Sequence, residues 1–180
     1  MGGVPKEVVA TILFTAAGIA GVLLSPAEWR DILPGAIFYA VLVVNTWFSI
    51  RFFSNLPPME RDESVIDGIL TLLYVALAFT IGRTIPFLAV AAVLFAFAVP
   101  KYALLLRLID FPHTLKRKMV FDTLGTLLCV VVLIGALAGY PMESMWALAI
   151  VFTLANLVLL TIWPMYRVLT ADLRGQTPKG

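Results

Sequence analysis

The sequence is poor in charge. Only 13% of its 180 residues are Asp, Glu, Lys or Arg, against about 25% in a soluble domain, and 61% are apolar. That balance excludes a water-soluble enzyme, a disordered tail and a nucleic-acid-binding domain. A single cysteine, Cys129, excludes an internal disulfide and any multi-cysteine metal site. A single histidine, His113, excludes a bis-histidine haem and leaves no ligand set for a metal, so no cofactor is expected. A net charge of +2 says little, because the charges are segregated along the chain.

What the chain has instead is long apolar runs, with a mean hydropathy of +0.98. A helix crosses ~30 Å of hydrocarbon with about 20 apolar residues. Six stretches meet that length: Val8–Leu24, Ile32–Phe53, Val65–Ile81, Ile85–Leu108, Met119–Gly139 and Met145–Val168. Turn signals separate them, at Ser25-Pro26, Pro57-Pro58, Gly82-Arg83, Asp110-Phe111-Pro112 and Gly139-Tyr140-Pro141. The expected fold is an all-α integral membrane bundle of six transmembrane helices, a single membrane domain over residues 1–180 with no room for an extramembrane one. The first run exceeds the h-region of a signal peptide and no small-x-small site follows it, so it is expected to stay in the protein.

Lysine and arginine set the expected orientation. Lys6, Arg51, Arg61, Lys101, Arg107, Lys116, Arg117, Lys118, Arg167, Arg174 and Lys179 fall at one side, and only Arg30 and Arg83 at the other. Both termini are therefore expected in the cytoplasm, in a prokaryotic plasma membrane. Trp29, Tyr140 and Trp146 at the outer ends and Trp47, Trp163 and Tyr166 at the inner ends fit aromatic belts.

The odd helices open alike: Glu7-x-x-x-Thr11, Asp67-x-x-x-Thr71 and Asp122-x-x-x-Thr126. The even ones close on Trp47-x-x-x-Arg51, Ala103-x-x-x-Arg107 and Trp163-x-x-x-Arg167. One reading is three consecutive two-helix hairpin repeats. The other is plain helix chemistry. Acids near a helix start and arginines near its end complement the macrodipole, and a threonine one turn on bonds back to a carbonyl.

Small residues four apart mark contact faces in lipid. Ala17/Gly21, Ala92/Ala96 and Gly135/Gly139 place the first and fifth spans inside the bundle. Phe38, Tyr39, Trp47, Phe48, Phe52 and Phe53 suggest that the second span faces lipid, and Pro100 and Pro164 are expected to kink the fourth and sixth.

No ionisable group falls at the midplane of these spans, which disfavours proton or sodium coupling. The deepest charge is Lys101. It snorkels to the surface, pairs with Asp67 or Asp122, or receives an anionic headgroup or solute. Asp67 and Asp122, each within a turn of its expected helix start, lack the context of an intramembrane aspartyl protease. Asn45 and Asn156 are polar groups that either bond across helices or line a solute path. Lys116, Arg117 and Lys118 form the most basic stretch, which suits anionic lipid headgroups. The candidate ligand-binding set is thus Lys101, Asn45, Asn156, Asp67 and Asp122. The expected partners are the lipid bilayer and, in one reading, further copies of the chain, with no nucleic acid.

Three functions fit this reading: a transporter or channel for a small or amphipathic solute with a charged cytoplasmic mouth, a non-catalytic accessory or scaffold subunit, and a lipid-modifying enzyme at the interface.

Overall fold

A computed structural model describes residues 5–53, 61–105 and 112–162. Among the described residues there are six α-helices and no strand: α1 Lys6–Leu24, α2 Trp29–Phe53, α3 Arg61–Phe79, α4 Thr84–Leu105, α5 Pro112–Leu137 and α6 Pro141–Leu157. A π-helical turn, Val158–Ile162, continues α6. Five of the six are long and apolar enough to cross a membrane, and α3 offers the shorter apolar run Val65–Phe79. The expected ends of the fourth and sixth spans, with Arg107, Trp163, Pro164, Tyr166, Arg167, Arg174 and Lys179, lie outside the described residues.

Proline and glycine set the boundaries. Pro112 and Pro141 open α5 and α6, where a missing N–H costs nothing. Gly82 and Gly139 close the α3–α4 and α5–α6 turns with φ of +83° and +102°, the left-handed region that glycine enters freely. Gly82 is also hemmed in sterically, because a Cβ there would stand 2.4 Å from Ser25 Oγ. Ser25 in turn donates to the Ile81 carbonyl at 3.0 Å, which ties the α1–α2 turn to the α3–α4 turn.

The helices close into a ring in the order α1, α2, α6, α5, α4, α3, with α4 also touching α2 and α6 across the axis. Each hairpin is therefore present. The order differs from the cyclic one a threefold axis would impose, because α3 packs on α1 and α2 packs on α6. The shared acid-x-x-x-Thr pattern has a local basis in each helix: Thr11, Thr71 and Thr126 donate to the carbonyls of Glu7, Asp67 and Asp122 at 2.7, 2.8 and 2.9 Å.

Two expectations about the helices are corrected. The aromatic-rich α2 is the most buried of the five long helices, and α1 is the least. Phe38 and Tyr39 are fully enclosed, and Phe38 is the hub of a ring cluster with Phe87, Phe95 and Phe152, at centroid distances of 5.6, 6.3 and 4.5 Å. Large rings fill the axis of a six-helix ring better than small residues do. The small residues act at the crossings instead. A Cβ at Gly21 would lie 2.0 Å from the Ala78 carbonyl oxygen, one at Gly18 would meet the Tyr39 ring at 2.6 Å, and one at Gly125 would meet the Phe95 ring at 3.2 Å. Thus α1 is a peripheral helix held by one glycine face. Phe14 on that face is buried too, while Ile12, Ile19 and Leu23 point outward.

Gly21→Ala must push α1 off α3, whereas Gly68→Ala on open surface adds only helix propensity, ~1 kcal/mol at most. Thermal unfolding of purified protein should show a clear loss for the first and none for the second. Equal midpoints for the two variants would contradict this packing.

Candidate functional site

Depth along the bundle can be read by counting from the turns. Asp122 lies seventeen residues before Gly139 and Asn156 seventeen after it, on helices that pack against each other. At 1.5 Å per residue both sit about 25 Å from that turn. Asp67 and Lys101, fifteen before and nineteen after Gly82, occupy the same band on α3 and α4. One polar layer therefore crosses the bundle toward its basic end, below the phenylalanine cluster.

Within this layer the charges form two separate pairs. Lys101 bonds Asp67, joining α4 to α3, with the lysine mostly covered and the aspartate half exposed. Lys118 donates to Asp122 Oδ1 at 3.1 Å, within α5, and its ammonium stands 5.7 Å from the centroid of the buried Tyr102 ring. This second pair is enclosed: Lys118 is 7% and Asp122 4% exposed. Each carboxylate is thus held by its own lysine, and the two aspartates do not form a proton-sharing dyad.

The placement of Asp122 differs from the expectation that it opens a helix. Helix α5 begins at Pro112, so Asp122 is ten residues in, and Asp67 is six residues into α3. The reason is proline. It ends α4's pattern, but it also makes a good first helical residue, so the basic run Lys116-Arg117-Lys118 is helical and no loop. His113 lies in the first turn of the same helix. Helical spacing then splits the run, with Lys116 and Arg117 exposed and Lys118 turned inward on a stripe with Asp122, Gly125, Cys129, Val132 and Ala136.

Asn156, 3% exposed, donates through Nδ2 to the Phe152 carbonyl at 2.8 Å, a bond within its own helix. Its Oδ1 has no partner, and the same holds for Asp122 Oδ2 and Thr153 Oγ1. Asn45 is half-buried on α2 and has interactions of its own, and the next residue, Thr46, bonds the Leu42 carbonyl and the Tyr74 hydroxyl. Tyr39 donates to the Phe14 and Tyr74 carbonyls at 3.1 and 3.3 Å, cross-linking α2 to α1 and α3.

Sequence reasoning missed the inward turn of Lys118 and the rings that roof the layer. Phe95 and Phe152, at 5.6 Å, sit one turn above it on α4 and α6, and Phe95 also rests on Gly125 of α5. The available signal was the Lys118/Asp122 spacing of four on a stripe that continues through apolar positions to Ala136.

A second feature lies on the outside. An apolar groove of about 550 Å³ runs between α1 and α2, lined by residues such as Thr15, Gly18, Ile19, Ala40, Val44 and Trp47. It does not include Asn45, Lys101 or Asn156.

No protein-family model matches the chain, and no curated protein or solved structure shows significant similarity to it.

Breaking the Lys118–Asp122 pair leaves one buried charge, at a cost of ~3–5 kcal/mol, whereas replacing both partners is neutral or stabilising. Asp122→Leu should therefore lower the unfolding midpoint sharply, and the double variant Lys118→Met/Asp122→Leu should restore it. Asp67→Asn, at a carboxylate that is half exposed, should cost less than Asp122→Leu.

Proposed function

We propose that this chain is a multi-pass membrane protein that moves a small solute and receives it at the basic end of the bundle. The observation that carries this reading is the buried polar layer of Asp122, Lys118, Thr153 and Asn156, roofed by Phe95 and Phe152. Ionisable groups enclosed in apolar helices are expensive, and a bundle needing only stability has cheaper apolar alternatives. The roof closes the axis toward the turns and leaves the layer nearer the basic end. Lys101 with Asp67, and Asn45 on α2, stand at the same depth and would form the mouth. With the positive side in the cytoplasm, Lys116 and Arg117 lie where anionic headgroups attract lysine and arginine.

A second reading, a non-catalytic scaffold subunit, is favoured by the α1–α2 groove. It runs along the least embedded helix and has an apolar lining with small residues on its floor, a surface that another transmembrane helix, including one from a second copy, would fill. The lipid-modifying enzyme has less support, since Asp67 and Asp122 are separately paired.

The test is flux into proteoliposomes loaded with a panel of inorganic ions, amino acids and amphipathic cations. At least one class should enter faster than into protein-free vesicles, and Asn156→Leu should slow that entry at least tenfold. No flux across the panel, or flux indifferent to Asn156, would overturn transport in favour of the scaffold.

A further inference from the structure

Among the described residues, three buried side-chain atoms have no hydrogen-bond partner: Asp122 Oδ2, Thr153 Oγ1 and Asn156 Oδ1. Their coincidence in one layer is the observation to explain. The orientation of the Asn156 amide is fixed by its Nδ2–H bond to the Phe152 carbonyl, so the free atom is the acceptor. The Asp122 carboxylate has spent Oδ1 on Lys118, so its free atom is also an acceptor. Two acceptors cannot satisfy each other. Thr153, three residues before Asn156 and on the same helix face, adds a third oxygen.

Register sets these residues at one level of the bundle. Gly125 on α5 and Phe152 on α6 both meet Phe95, and Asp122 and Asn156 lie one turn below Gly125 and Phe152, respectively. The π-turn Val158–Ile162 begins two residues beyond Asn156, and such extra-residue turns within helices recur at functional sites.

The Lys118–Asp122 bond is local to one helix. Both partners lie on α5, four residues apart, so the bond joins no two helices. A buried pair of this kind loses solvation on both charges, and the ionic bond itself ties no second helix. It makes sense as one of two states of a single carboxylate. Lys118 also has a second perch, the Tyr102 ring.

We propose that Asp122 Oδ2, Asn156 Oδ1 and Thr153 Oγ1 form a site for a small monovalent metal cation, which exchanges with the Lys118 ammonium on Asp122. Three oxygen donors with one carboxylate suit a hard ion of single charge. No group of three or more His, Cys, Asp or Glu among the described residues would suit a transition metal. Exchange keeps one cation on the carboxylate in each state, while Lys118 shifts to Tyr102 and the layer gains one positive charge. The inference deepens the transport reading and rests on it only for its use, since the site can bind whether or not the protein carries solute.

The test is the thermal midpoint of the full chain in nanodiscs, titrated with NaCl, LiCl or KCl against choline chloride at constant ionic strength. A ligand of the folded state raises the midpoint saturably, and at least one of the three metals should do so. Asp122→Asn should abolish the rise. Asn156→Leu should weaken apparent affinity at least tenfold, with the lysine pair intact and the choline midpoint little changed. Lys118→Met removes the internal competitor and should tighten apparent affinity at least tenfold, the reverse of what a structural lysine would give. If Lys118→Met folds only with metal present, exchange is supported. If it fails in every salt, Asn156→Leu decides. No saturable rise in the wild type assigns the orphaned oxygens to water and overturns the site, as does a rise unchanged by Asn156→Leu or one driven by acid alone. Binding without flux would overturn transport and leave the site standing. Flux without binding would do the opposite.

Discussion

In an apolar surrounding, helices gain nothing by hiding greasy surface from one another, so adhesion has to come from fit. Close fit at small residues organises this bundle. Gly21 lets α1 rest on the Ala78 carbonyl, Gly18 admits the face of Tyr39, and Gly125 seats Phe95. Each missing Cβ is matched by a ring or a backbone on the neighbouring helix. Three of the six neighbour contacts in the ring rest on these matches, and the axis is left to four phenylalanines from α2, α4 and α6.

Polar groups obey the same constraint by a different route. Most of the described threonines return their hydroxyl to a carbonyl about one turn back and so vanish from the account, as Thr11, Thr46, Thr71 and Thr126 do. Tyr39 spends its hydroxyl on two carbonyls of other helices. Against that background, the unpartnered oxygens of Asp122, Thr153 and Asn156 stand out.

The helices themselves were legible from apolar run length and turn residues, because those signals depend on the chain alone. Burial was legible only in part. In a soluble helix a polar face tells which side is outside, but α2 and α1 are apolar all round, and nothing in either sequence says which rings point inward. Phe38 and Phe48 sit on one helix with the same chemistry, yet the first is enclosed and the second exposed. The candidate site was legible residue by residue, with Lys101, Asp67, Asp122 and Asn156 all identifiable as costly in an apolar chain. Their pairing was not, because it turned on where α5 begins. Reading Pro112 as a break hides the first two turns, and with them the fact that Lys118 and Asp122 share an inward stripe.

The two ion pairs differ in one respect that bears on movement. Lys101 and Asp67 belong to different helices, so sliding α4 against α3 stretches that bond. Lys118 and Asp122 travel together on α5, and a tilt or screw of that helix carries both ends of the dipole along. The first pair is a mooring line. The second is portable, a neutral package that α5 can displace relative to α6 without ever pulling opposite charges apart.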